Sequence, residues 1–105
     1  MRKCTLLILL SSLAAPLSAN AAEIVVTMAG GEYKPDRIVA AVGDTIRFVN
    51  DSGMNHNVFI PTARFATDLG KQEPGSETVL DLARPGSFEV ECTLHANMLT
   101  QVEVK

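Results

Sequence analysis

Near the C-terminal end of the 105-residue chain, Cys92, His95 and Met98 recur at three-residue intervals in the run Cys-Thr-Leu-His-Ala-Asn-Met. The other histidine, His56, lies upstream in Asn-His-Asn-Val. A thiolate, two imidazoles and a weak thioether form a soft donor set suited to copper moving between its cuprous and cupric states. With two His and four Met in the chain, a given Cys meets both at these offsets about once in a thousand times, so chance is a poor account of the pattern. The rest of the chain must then bring His56 against the 92–98 loop.

Each residue alone has a blander reading: a buried small thiol, a hydrogen-bonded histidine, a methionine filling the core. Together they point to a metal, and donor type narrows the choice. Structural zinc takes four strong ligands, and this chain offers three strong donors and a thioether. Neither an H-E-x-x-H motif nor a convergent carboxylate cluster is present for catalytic zinc or calcium. A Cys–His hydrolase would need an orienting third residue, an oxyanion hole and a cleft, none of which has a signal here. The chain is not expected to be an enzyme.

The N-terminus reads as an export leader spanning residues 1–21. Arg2 and Lys3 precede an uncharged Leu-rich run over Thr5–Ala15, and Ala19-Asn20-Ala21 supplies the small residues of a cleavage site. The apolar run is too short to span a bilayer. Cys4 precedes the apolar run, whereas a lipidated cysteine would follow it. The expected location is the periplasm, with no membrane attachment after cleavage. Loss of Arg2 and Lys3 takes the formal charge from −3 to −5, which argues against nucleic acid as a partner. It also leaves Cys92 as the only cysteine of the domain 22–105. An exported small domain ordinarily pairs its cysteines. A lone thiol there calls for burial, catalysis or a metal.

The remainder is a series of short alternating runs separated by Gly, Pro, Asp and Asn, the pattern of an all-β sandwich. Strands are predicted at Glu23–Met28, Arg37–Ala41, Thr45–Asn50, Asn57–Ile60, Glu77–Leu82, Ser87–Cys92 and Gln101–Lys105. Pro61–Gly75 is expected to be irregular, with a short helical turn around Arg64–Asp68. Parity places Phe88, Val90 and Cys92 on one face of their strand and Glu89 and Glu91 on the other. That aims the Cys92 sulfur into the top of the core.

These residues carry a resemblance. Tyr33-x-Pro35, Ile38, the run Val-Gly-Asp-Thr-Ile-Arg-Phe-Val-Asn at 42–50, His-Asn-Val at 56–58 and Gly86-x-Phe88 lead, in order, to the Cys92–Met98 loop. The sequence resembles the cupredoxins, most of all the amicyanin, pseudoazurin and plastocyanin branch. The resemblance implies a two-sheet Greek-key β-sandwich holding one copper ion. It implies His56, Cys92 and His95 as strong ligands and Met98 as the weak axial one. It further implies a hydrogen-bonded tether between Asn57 and Thr93, a buried His56, and a His95 edge exposed within an apolar patch.

By the same resemblance the protein would be a monomer carrying single electrons between redox proteins, such as a c-type cytochrome or a periplasmic dehydrogenase. Copper carriage or buffering is the other open class. A metal-free binding module is a third, disfavoured by retention of all four donors. Three departures stand out: Val90 where relatives often have an aromatic, Thr100 where many have glycine, and no proline beside His95. Non-proline residues give the loop extra N–H donors, and one from this loop is expected to bond the Cys92 sulfur and raise the reduction potential.

Overall fold

Alternating burial along each strand organises the computed structural model, which describes residues 21–105. The expected leader, apart from Ala21, lies outside the described residues. The chain forms nine strands: β1 (Glu23–Ala29), β2 (Glu32–Lys34), β3 (Arg37–Ala40), β4 (Thr45–Asn50), β5 (His56–Ile60), β6 (Thr67–Gln72), β7 (Glu77–Asp81), β8 (Gly86–Glu91) and β9 (Leu99–Val104). One sheet has the order β2-β1-β4-β7 and the other β3-β9-β8-β5-β6. The pairs β1–β4 and β3–β9 are parallel, and the other pairings are antiparallel. The expected all-β sandwich is the observed fold, and no helix occurs among the described residues.

The period-two rule decides which side chains fill the space between the sheets. Val26, Met28, Ile46 and Phe48 enter from the first sheet, and Val58, Ile60, Phe88, Val90, Val102 and Val104 from the second; all are buried. Each such side chain contributes about 1.5–3 kcal/mol on removal from water. The intervening positions carry charge. Arg47 on the outer face of β4 reaches Glu23 on β1 at 2.9 Å and Glu77 on β7 at 3.1 Å. All three are partly exposed, so this pair of bridges adds little beyond register.

Two elements differ from the sequence expectation. β2 has only three residues, too few to show an alternation, and forms because the Gly30-Gly31 turn folds it back onto β1. The region expected to be irregular, with a helical turn at Arg64–Asp68, instead holds a turn at Thr62–Phe65 followed by β6. The Phe65 N–H donates to Thr62 O at 3.0 Å, and Arg64 takes a positive φ of 78°. β6 is an edge strand, and its register on β5 shifts between Val58 and Phe59, where Leu69 is the extra residue. A bulge of this kind breaks the period-two pattern by which a strand is recognised. Ends also move by a residue or two: β5 begins at His56, β8 stops at Glu91, and β9 begins at Leu99.

Gly86 is required at its position. Its φ is 141°, and a Cβ there would lie 2.6 Å from the Phe65 ring. The missing side chain is what lets Phe65 stack on Phe88 with ring centroids 5.0 Å apart. Thr100, at another departure noted in the sequence, is fully buried and donates its hydroxyl to Pro35 O at 2.9 Å, which ties β9 to the β2–β3 link.

The start of β1 is clamped by Asp44, whose two carboxylate oxygens accept the Ala22 and Ala41 N–H groups at 2.9 Å each. The Ala22 bond first, and then the Ala41 bond, hold the Asp44 carboxyl below its ordinary range. A carboxylate lowered in the folded state contributes stability above its unfolded pKa of about 4 and loses it as pH falls through the folded value. In urea titrations, Asp44→Asn should therefore lower the midpoint at pH 7. Its deficit should shrink as pH drops below about 4. A deficit equal at pH 7 and pH 3 would refute the clamp.

Candidate metal centre

β5 and β8 are neighbours, with Phe59 opposite Glu91, and this pairing brings the two halves of the donor set together. His56 opens β5 on its inward face and has no exposed surface. Cys92 follows the last residue of β8, still on the inward parity of Phe88 and Val90, and is 4% exposed. The Cys92 N–H donates to Met98 O at 3.1 Å, which closes the base of the 93–97 loop. Asn97, at φ 63°, turns that loop back, a conformation asparagine tolerates better than most residues.

Inside this frame the sulfur of Cys92 lies 4.0 Å from His56 Nδ1 and 3.6 Å from His95 Nδ1. The three donor atoms lie within 4.8 Å of one another. Thiolate and imidazole donors about 2.0–2.3 Å from one shared metal, at the bond lengths known for zinc, stand about 3.5–4 Å apart in a trigonal array. The residues present therefore fit a single ion. The His56 and His95 rings are 4.7 Å apart, centroid to centroid. His95 is partly exposed, whereas His56 and Met98 are buried. Met98 ends the loop and is a buried member of the same core cluster as Cys92 and Val90.

Burial first, and the neighbouring His95 second, hold His56 below the ordinary imidazole range. A neutral ring keeps a lone pair free for a metal. Asn57, next along β5, points the other way and joins the two ligand loops. Its Nδ2 donates to Thr93 Oγ1 and its Oδ1 accepts the Thr93 N–H, each at 2.7 Å. The tether expected from the resemblance is present.

The expected sulfur hydrogen bond comes from a different place. The Asn57 N–H donates to Cys92 Sγ at 3.5 Å, and among the described residues no N–H of Leu94, His95 or Ala96 does so. Asn57 lies on the strand beside the sulfur, so β-sheet geometry supplies the donor that the loop was expected to supply. Replacing Ala96 by proline would thus leave this bond untouched.

Two neighbours of the site were absent from the sequence reading. The Tyr33 hydroxyl, delivered by the short strand β2, donates to Asn57 O at 2.6 Å while its ring packs edge-on against Phe48 at 6.1 Å. The Tyr-x-Pro motif marked Tyr33 as a residue of interest but gave no indication of this contact. Ser52 Oγ lies 2.9 Å from His56 Nε2. A serine four residues before a histidine in a Gly-containing turn carries no signal that would single it out.

A model of the cupredoxin-like domain matches residues 3–104. The chain belongs to the cupredoxin-like family. Among solved structures, a Cu(I) amicyanin mutant superposes on this cupredoxin with a TM-score of 0.74 at 26% identity, covering 79% of this chain and 82% of that one. A reduced amicyanin mutant gives 0.72 at 26% identity over 87% and 88% of the two chains. A copper-containing nitrite reductase from Thermus scotoductus SA-01 gives 0.73 at 20% identity. It covers 79% of this cupredoxin and 22% of the reductase, a likeness of fold alone. By sequence comparison, no curated protein matches the chain. The recognition from sequence motifs therefore holds at the level of family, with amicyanin the similar branch.

Proposed function

We propose that this cupredoxin holds one copper ion of the blue-copper type through His56, Cys92, His95 and, weakly, Met98, and carries single electrons in the periplasm. The observation that carries the reading is the convergence of a buried lone cysteine with one fully buried and one partly open histidine. Copper held by such donors exchanges one electron without bonds to substrate being made or broken. The chain's own residues keep the donors still. β5 and β8 fix His56 and Cys92, and the Asn57–Thr93 tether fixes the loop that carries His95. On this reading the protein is an electron carrier and not an enzyme.

His95 is the donor nearest to solvent. The two site loops and the start of β9 also expose Met54, Leu94 and Leu99, at 44%, 56% and 40% of their surfaces. Apolar residues on these segments suit brief contact with a redox partner, since such interfaces are small. The net negative charge favours a basic partner, such as a c-type cytochrome or a dehydrogenase, and predicts association that weakens with salt. Export of the chain rests on its N-terminal pattern. Voltammetry of the copper-loaded domain tests the function, with a reversible one-electron wave expected. Tight copper binding with no reversible wave would favour copper carriage or buffering instead.

A further inference from the structure

The polar residues behind His56 form a chain of hydrogen bonds whose donors and acceptors can be assigned from one end. Met54 O and Gln72 O are carbonyl oxygens and can only accept. One side-chain atom of Asn50 meets both at 2.9 Å, so that atom is the amide nitrogen. The Asn50 oxygen therefore faces Ser52, 2.7 Å from its hydroxyl and 3.1 Å from its N–H. The hydroxyl also lies 3.2 Å from Met54 O, but two oxygens as close as 2.7 Å need a proton between them, and the hydroxyl has only one, so it goes to Asn50. Its lone pairs are left for the Met54 N–H at 3.2 Å and for His56 Nε2 at 2.9 Å. The last contact is attractive only when Nε2 carries hydrogen. Nδ1, the atom facing Cys92 Sγ, is then bare.

We infer that Ser52 is the positioning residue that sets the tautomer and ring orientation of His56, with Asn50 fixing Ser52 in turn. Asn50 is 1% exposed and Gln72 2% exposed. Thr78 Oγ1 donates to Gln72 Oε1 at 2.7 Å, so the chain of bonds runs from the site to β6 and β7. It works because the acceptors beside the Ser52 hydroxyl, Asn50 Oδ1 and Met54 O, claim its one proton and leave its oxygen to accept from Nε2. Without the Ser52 oxygen, a buried Nε2–H would have no acceptor, and that tautomer would lose its advantage. The competing tautomer places hydrogen on Nδ1, facing the Cys92 sulfur, where it occupies the lone pair a metal needs.

The inference extends the proposed copper reading and has a test that does not depend on it. In the metal-free protein, nitrogen-15 NMR should show His56 protonated at Nε2. Ser52→Ala should shift it toward Nδ1–H, and Ser52→Thr should restore the wild-type pattern. Measured by competition for Cu(I), the affinity of Ser52→Ala should fall about ten- to a hundredfold, as for other groups that orient ligands. Ser52→Ala that keeps the Nε2 proton, or that binds copper within about threefold of wild type, overturns the inference. If Ser52→Ala does not fold, the wild-type spectrum decides, and a proton on Nδ1 overturns it. If the wild type binds no copper, the copper reading fails, and the tautomer measurement alone decides the role of Ser52.

Discussion

Copper added to the Cys92→Ser protein is expected to give no intense blue band, while the wild-type protein turns blue. The band arises from charge moving from a thiolate to cupric copper, and serine offers a hard oxygen in place of that sulfur. No other cysteine remains in the domain to substitute for it. The folded state should survive. The change keeps the shape of a small buried side chain, although the Asn57 N–H, now 3.5 Å from the sulfur, would face a smaller oxygen on a shorter bond. That weakens one hydrogen bond and should cost about 1 kcal/mol. Urea titration of both metal-free proteins separates a lost ligand from a lost fold. A blue Cys92→Ser protein, or a colourless wild type that has taken up copper, would refute the ligand assignment.

Much of this site can be read from the order of residues because it depends on period two. Phe88, Val90 and Cys92 share a parity with two glutamates opposite, and that places the sulfur inside before any long-range contact is known. His56 is harder to place, because nothing local says which strand it adjoins. Its meeting with Cys92 depends on β5 pairing with β8, and the family motifs rather than the periodicity point there. β6 was missed because its bulge at Leu69 and its Gly70 erase the alternation, and β2 because three residues cannot display one. The role of Ser52 is hidden for another reason. It follows from an unbroken run of donors and acceptors through Asn50, and only coordinates show which atom of each faces which.

The missed residues and the anticipated ones act on the same problem, the placing of four proposed donors that come from the start of β5 and from the segment between β8 and β9. Cys92 and Met98 are held by the end of β8 and by the bond across the loop base. His56 is held by its strand and by Ser52. His95 has no hydrogen-bond partner among the described residues other than the Cys92 sulfur, so its position depends on the loop as a whole. The loop's side-chain bond to the neighbouring strand is the one between Thr93 and Asn57. The Tyr33 hydroxyl steadies Asn57 from the opposite sheet through the Asn57 carbonyl.

Asn57→Ala should therefore loosen the loop that carries His95 while leaving all four proposed donors in place. It removes two 2.7 Å bonds and leaves the Thr93 N–H and hydroxyl to find water, which their exposure permits. Two such bonds are worth about 1–3 kcal/mol together, a large share of the stability of a small domain. The Asn57 N–H is backbone and survives, so the sulfur keeps its donor. The prediction is a lower urea midpoint in the metal-free protein. With copper bound, the paramagnetic resonance spectrum should broaden as His95 samples several positions. Asn57→Asp should recover part of both losses, because a carboxylate still accepts the Thr93 N–H and can accept its hydroxyl. If Asn57→Ala matches wild type in midpoint and line width, the loop is held by its own packing and the tether is ornamental.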